Sequence, residues 1–334
     1  MATEVLPRMR VRTDSAHAAP RPRRVARPLL WLIFAGSSVA SLIALAGAWH
    51  WFAELFTHFR LYYLLAQGLL IIAFLNTKRY GWLVVTALLA LPNAWYVGPY
   101  LLPVLTGEAA RVSSRPQLIS LNLDYRNDDV ESVVGYLRRT QPDIVVMSEY
   151  TAAWHAALAP VMAAWPHRVM RSREDPFGLA VYSRVPFQDV EWLDLGTPGS
   201  ENVRVRLSLA GRDIELHAVH LYPPRSADWA AKRNRQLDAL GRVASASPRK
   251  RIVTGDLNLT PFSPHFSGLL RASGLLDARR AQGLQVTWPA APVPVWIPID
   301  HALADSSAGV LDVRTGPDIG SDHFPLEITL ATAD

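Results

Sequence analysis

The stretch Arg251-Ile252-Val253-Thr254-Gly255-Asp256-Leu257-Asn258 sets a β-branched apolar run directly against a carboxylate and a carboxamide. The run reads as a buried strand, and at strand period two Asp256 and Asn258 share one face at its carboxyl end. Such a pair suits hydrolysis: the carboxylate aligns or deprotonates a water while the neutral amide holds the attacked oxygen. The same residues also suit an ordinary turn, which Asp and Asn favour. A second segment, Ser321-Asp322-His323-Phe324-Pro325, places Asp322 and His323 in a loop before the strand-like Leu326-Glu327-Ile328-Thr329-Leu330. A histidine there can shuttle a proton or donate to a phosphoryl oxygen.

Further polar outliers sit in apolar strands. Asn122 ends the run Gln117-Leu118-Ile119-Ser120-Leu121-Asn122, and Glu149 closes Asp143-Ile144-Val145-Val146-Met147-Ser148-Glu149. An unpaired carboxylate in such a place is costly. A hard divalent cation is its natural partner, since Mg²⁺ takes one or two carboxylates together with waters and phosphate oxygens. Then follow Leu179-Ala180-Val181-Tyr182-Ser183-Arg184, Leu216-His217-Ala218-Val219-His220-Leu221 and Ile297-Pro298-Ile299-Asp300-His301.

The series, in this order from residue 117 to 330, resembles the endonuclease/exonuclease/phosphatase superfamily of DNase I-like nucleases, sphingomyelinases and inositol-polyphosphate phosphatases. The resemblance implies an α/β fold, a four-layer sandwich of two packed, mainly antiparallel sheets flanked by helices. It implies Glu149 as the principal Mg²⁺ ligand (Mn²⁺ being possible), with Asn122 beside it and Asp322 near the metal. It further implies that His220 contacts the scissile phosphate, Asp256 orients or deprotonates the attacking water and Asn258 steadies the phosphoryl group. Asp300 would hold His323, the catalytic histidine, in the right tautomer. No cysteine and no Gly-rich phosphate loop is present, which disfavours a thiol-dependent phosphatase and a P-loop nucleotidase.

Other residues are expected to be structural. His217 and His220, three apart on a strand, face opposite ways and do not ligate jointly. His301 reads as packing or surface. Trp154, Trp165 and Trp288 could line a groove but suit core or interface filling, and Asp124, Asp128 and Asp129 read as caps of the next helix. Arg204 with Arg206, and Lys232, Arg233 and Arg235, could meet an anionic head group; a solvated strand face and helix face is the plainer reading. Strands are expected at residues 117–123, 144–148, 179–182, 203–209, 214–221, 251–254, 299–303 and 326–330. Helices are expected at residues 129–140, 152–164, 227–246 and 264–273.

The front of the chain differs. Residues 29–49 carry no charge and have the length a helix needs to cross a bilayer. Apolar stretches at residues 61–75 and 82–105 follow, so three spans are expected, with Tyr62, Tyr63, Trp82, Trp95 and Tyr96 as candidate interface aromatics. Residues 1–28 hold seven arginines against Glu4 and Asp14, while the remaining 27 basic and 27 acidic residues of the +5 chain cancel. By the positive-inside rule the amino terminus and the loop bearing Lys78 and Arg79 are cytoplasmic, which puts the catalytic domain outside. The expected organisation is a basic cytoplasmic tail (1–28), a membrane region (29–105), a linker (106–116) and a catalytic domain (117–334). A neutral catalytic domain makes a long nucleic acid a weaker expectation as partner than the lipid bilayer.

Three spans before an outward-facing domain of this kind are similar to the membrane-bound VanJ family associated with teicoplanin resistance. That similarity implies a lipid-linked phosphate or pyrophosphate substrate, such as undecaprenyl pyrophosphate. The alternatives are an extracytoplasmic nuclease, a phospholipid phosphodiesterase, or a catalytically idle membrane adaptor.

Overall fold

Strand alternation divides the apolar residues of the carboxyl-terminal two thirds between two faces. In the computed structural model, which describes residues 26–101, 115–291 and 295–332, those faces belong to two six-stranded sheets. The first sheet is ordered β11-β12-β1-β2-β4-β3 and the second β5-β6-β7-β8-β10-β9. Their strands are β1 (Gln117–Asn122), β2 (Ile144–Ser148), β3 (His167–Arg171), β4 (Leu179–Ser183), β5 (Phe187–Trp192), β6 (Val203–Leu209), β7 (Arg212–His220), β8 (Lys250–Asp256), β9 (Leu276–Asp277), β10 (Asp300–Ala304), β11 (Val310–Thr315) and β12 (Leu326–Leu330). Within each sheet one central pair, β1–β2 and β7–β8, is parallel and the remaining pairs are antiparallel.

Leu118, Ile144, Val146 and Val181 point between the sheets and meet Val205, Leu216, Ala218 and Ile252. Their immediate neighbours Ile119, Val145, Met147 and Ala180 point outward beneath α5 (Val130–Thr140) and α6 (Ala152–Met162). On the far side, Val219, Val253 and Leu303 pack beneath α7 (Ala227–Ala246) and α8 (Pro264–Ser273). The result is the expected four layers, each strand residue committed to one layer by period two. Side-chain oxygens of Asp129, Thr151, Ser226 and Ser263 cap the starts of these four helices. Of the three aspartates expected to cap α5, Asp129 does so. Asp124 instead accepts from the Arg126 backbone in a turn.

The front of the chain forms α1 (Ala26–Leu45), α2 (Trp51–Thr57), α3 (Arg60–Asn76) and α4 (Tyr80–Leu101). Residues 28–48 and Tyr80–Leu101 are long and apolar enough to cross a membrane, and α2 with α3, bent by 57°, makes a third candidate if it counts as one broken span. Leu32, Leu69, Leu88, Leu91 and Trp95 stand 61% to 79% exposed, whereas Ser41, Gln67 and Asn93 are buried among Leu70, Phe74 and Val97 in the interior. There Asn93 donates to Ser41 and Gln67, and Arg60 donates to Asn93 and to the Ala44 carbonyl. An apolar exterior around interhelical hydrogen bonds fits helices long and apolar enough to cross a membrane. Residues 50–60, between the first two expected spans, are largely α2, whose Glu54 is wholly buried against the catalytic unit. The expected basic tail lies outside the described residues except for residues 26–28, and the expected linker lies outside them up to residue 114.

Candidate active site

Register gathers the polar outliers at one end of the sandwich. In the second sheet His220 on β7 stands opposite Asp256 on β8, and Asp256 stands opposite Asp300 on β10. Three functional groups thus sit side by side on adjacent strands. In the first sheet Asn122 on β1 is level with Ser148 on β2, which brings Glu149, the next residue, to the same end. Gly255 permits the close approach of β8 to β7: its φ is +133°, and a Cβ there would lie 1.9 Å from the Val219 carbonyl oxygen.

Asn258 arrives differently from the expectation. β8 stops at Asp256, and Asn258 takes a left-handed conformation at φ 53°, its backbone N–H donating to Asp256 Oδ1 at 2.7 Å. A turn, rather than strand periodicity, places it in the cavity. Glu149 is left-handed as well, at φ 57°. Non-glycine residues hold such conformations only where their surroundings over-determine them. Both sit in the site.

Asn122 links the groups of the two sheets. Its Nδ2 donates to Glu149 Oε1 at 3.2 Å and to Asp256 Oδ2 at 3.3 Å, while its Oδ1 accepts from the Asp124 backbone. Ser321 donates to the Asn122 carbonyl at 2.7 Å, tying the His323 loop to β1. His323 Nδ1 donates to Asp300 Oδ2 at 2.8 Å, and its Nε2 lies 3.7 Å from Asp256 Oδ2. His220 Nε2 lies at the same 3.7 Å from that oxygen. Asp322 accepts from the Trp288 indole at 3.1 Å.

Burial and charge set the protonation states. Burial alone lowers His323, but Asp300, Asp256 and Asp322 outweigh it and lift the imidazole to about 10, so it is an imidazolium at neutral pH. Burial raises Asp300, yet its bond from His323 dominates and holds it low and ionised. Asp256 is pushed well above the usual carboxylate range by burial and by Asp300. His220 falls to about 4 through burial and the His323 charge, and is therefore neutral. Burial also raises Glu149.

These groups floor a cavity of about 410 Å³. Glu149, His220, Asp256, Asn258, Asp322 and His323 line it, and the buried Asn122 and Asp300 lie just beneath, bonded to those lining residues. All eight sequence-predicted residues therefore converge. The donor set fits a hard cation: Glu149, Asp256, Asp300 and Asp322 gather about one centre, and burial and mutual repulsion push the Glu149 and Asp256 carboxyls up, a cost that a divalent ion beside them would relieve. Ligand atoms of Asp256, Asp300 and His323 also lie within 4.8 Å of one another. In that trio the Asp300–His323 contact is already spent as a hydrogen bond, so the oxygen-rich side formed by Glu149 and Asp322 is the better seat for such an ion.

Several neighbours escaped sequence reasoning. The Tyr125 backbone donates to Glu149 Oε2, and Thr287 Oγ1 accepts from the Ile299 and Asp300 backbones. Arg126 and Arg225 stand in the cavity wall, as do Leu55, His58 and Phe59 from the α2–α3 region. Residues set aside in the sequence behave as follows. His217 bonds Glu215, His301 bonds the Leu259 carbonyl, Trp154 and Trp165 fill core, and Trp288 lines the cavity. Arg204 and Arg206 pair with Asp189 and Glu215. Arg233, expected on a solvated face, is wholly buried and bonded to Glu54; its partner lies far off in sequence, in the helical region.

The model of the Endonuclease/Exonuclease/phosphatase family matches residues 119–323. No curated protein matches the chain. Among solved structures, the D. rerio TDP2 complexed with single strand DNA product is 20% identical, with 66% of this chain and 100% of that chain covered at a TM-score of 0.54. The 3' phosphatase NExo from Neisseria bound to product DNA hairpin is 21% identical, with 65% and 99% covered at a TM-score of 0.53. An endonuclease/exonuclease/phosphatase family protein from Leptotrichia buccalis is 14% identical, with 65% and 99% covered at a TM-score of 0.53. At these identities the likeness is one of fold.

Proposed function

The chain belongs to the Endonuclease/Exonuclease/phosphatase family, a family of phosphoric ester hydrolases, and we propose that it hydrolyses a lipid-linked phosphate or pyrophosphate, such as undecaprenyl pyrophosphate, at the outer face of the cytoplasmic membrane. One observation carries this reading: the carboxylate and histidine floor lies in a cavity walled partly by Leu55, His58 and Phe59 of the amino-terminal α2–α3 region, a candidate broken span. The similarity to the membrane-bound VanJ family points the same way.

In this reading Glu149, Asn122 and Asp322 would hold Mg²⁺, which when bound supplies charge neutralisation at the phosphoryl oxygens. Asp256, made more basic by the upward push on its carboxyl, accepts in its ionised form a proton from the attacking water. His323, kept charged by Asp300, donates to a phosphoryl oxygen, and neutral His220 offers a second ring nitrogen to the same group. The Asn258 amide, one N–H of which is held by the Leu221 carbonyl at 2.9 Å, presents its remaining N–H to phosphate. Arg126 and Arg225 add positive charge in the wall. No covalent enzyme intermediate is required.

Full-length protein in detergent, offered undecaprenyl pyrophosphate and single-stranded DNA with and without chelator, tests the proposal. Chelator-sensitive release of phosphate from the lipid supports it. Cleavage of DNA alone, with the steep salt dependence of phosphate-backbone binding, would replace it with a nuclease.

A further inference from the structure

We propose that the bend between α2 and α3 is a substrate-binding element, in which Leu55 and Phe59, together with Trp288 and Ile297, seat the hydrocarbon chain of an amphiphilic phosphate ester. The inference deepens the lipid-phosphate reading and rests on it.

The lining of the cavity is of two chemical kinds. Its floor is ionic, formed by Glu149, Asp256 and His323, and the wall contributed by Leu55, Phe59, Trp288 and Ile297 is apolar. An ester with a charged head and a hydrocarbon tail matches that pair of surfaces. A polynucleotide instead needs cations that track successive phosphates and faces for base stacking. Phe52 and Leu65, on the same two helices as Leu55 and the Phe59 bend, stand 50% and 57% exposed, so apolar surface continues along the elements that form this wall.

The wall is held in place, as a binding surface must be. Glu54 is bonded to the buried Arg233 and accepts from Ser263 Oγ at 2.7 Å. His58 Nδ1 lies 3.1 Å from Thr260 Oγ1, two residues beyond Asn258. The Tyr62 hydroxyl donates to the Trp296 carbonyl at 2.8 Å and accepts from the Trp296 N–H at 2.6 Å, which fastens the strip bearing Ile297. These ties flank Leu55 and Phe59 on both sides. The bend therefore faces the catalytic floor as a fixed wall, not as a tether.

The test is hydrolysis of geranyl, farnesyl and geranylgeranyl pyrophosphate by full-length protein and by the double variant Leu55→Ala/Phe59→Ala. In the parent protein kcat/KM should rise at least about tenfold across the series, since each buried methylene adds favourable transfer. The double variant should flatten that rise. Leu55→Gln and Phe59→Leu, which keep most of the volume and leave the polar ties intact, should flatten it in the same direction by less, so the answer does not hang on one variant. An unchanged chain-length dependence in folded variants, or an equal loss on all three substrates, overturns the inference while leaving the lipid-phosphate reading standing. Failure of the parent protein to cleave any of the three, with cleavage of DNA, overturns both.

Discussion

Replacing Glu54 with alanine strips the carboxylate from a guanidinium that has no route to water. Both side chains of the Glu54–Arg233 pair are 0% exposed. Arg233 keeps bonds to Asn234 Oδ1 and to the Asn258 carbonyl, at 2.8 and 3.3 Å, but neither is charged. Removing one partner of a buried pair costs about 3–5 kcal/mol because the other charge is stranded. For a unit of this size, about 2–4 °C per kcal/mol translates that into a fall in melting temperature of roughly 6–20 °C. Thermal unfolding of the detergent-purified chain reads it. Activity should fall as well, because Arg233 also holds the backbone of Asn258. Glu54→Ala/Arg233→Met, which removes both charges, should recover much of the loss, since a buried pair is often replaceable by apolar side chains. A Glu54→Ala protein that melts within about 2 °C of the parent would refute the reasoning and mean that the helices are not locked to the catalytic unit through this pair.

Asp300→Asn keeps a bond to His323 but discards the charge that holds it as an imidazolium, and kcat should drop about 10²- to 10⁴-fold with little change in melting temperature. Gly255→Ala puts a methyl 1.9 Å from the Val219 oxygen in a conformation alanine resists; a loss of about 3 kcal/mol or more should appear as poor folding yield and a depressed urea midpoint. Burial raises Glu215, but bonds from His217 and Arg206 outweigh it and hold the carboxyl at about 2, below its ordinary 4.5. Its folded value being lower, the contribution is complete above about pH 4.5 and is lost as pH falls toward 2. Urea midpoints taken across that window should therefore fall more steeply for the parent than for Glu215→Gln.

Legibility in the sequence followed burial. Each of the eight site residues is a polar group set at the end of, or in a loop beside, an apolar run, and that contrast is visible without coordinates. The central strands β1, β2, β4, β7, β8 and β10 were legible for the same reason. The four strands that escaped, β3, β5, β9 and β11, are the outer edges of the two sheets. Edge strands bury little and carry charge, as in Phe187-Gln188-Asp189-Val190-Glu191-Trp192, so they lack a continuous apolar signal. The docking of the helices was hidden for a different reason. Glu54 and Arg233 are 179 positions apart, and each alone reads as a solvated side chain. Only the fold shows that they neutralise one another. Asn258 was identified for its chemistry but assigned the wrong geometry, because a left-handed turn imitates the spacing of a strand face.

The most direct test of the central claim is release of inorganic phosphate from undecaprenyl pyrophosphate by the full-length protein with Mg²⁺, run beside His323→Ala. Release should be abolished by chelator and reduced at least about 10²-fold in the variant. Folded, metal-supplied protein that releases no phosphate, or a His323→Ala variant as active as its parent, would contradict it.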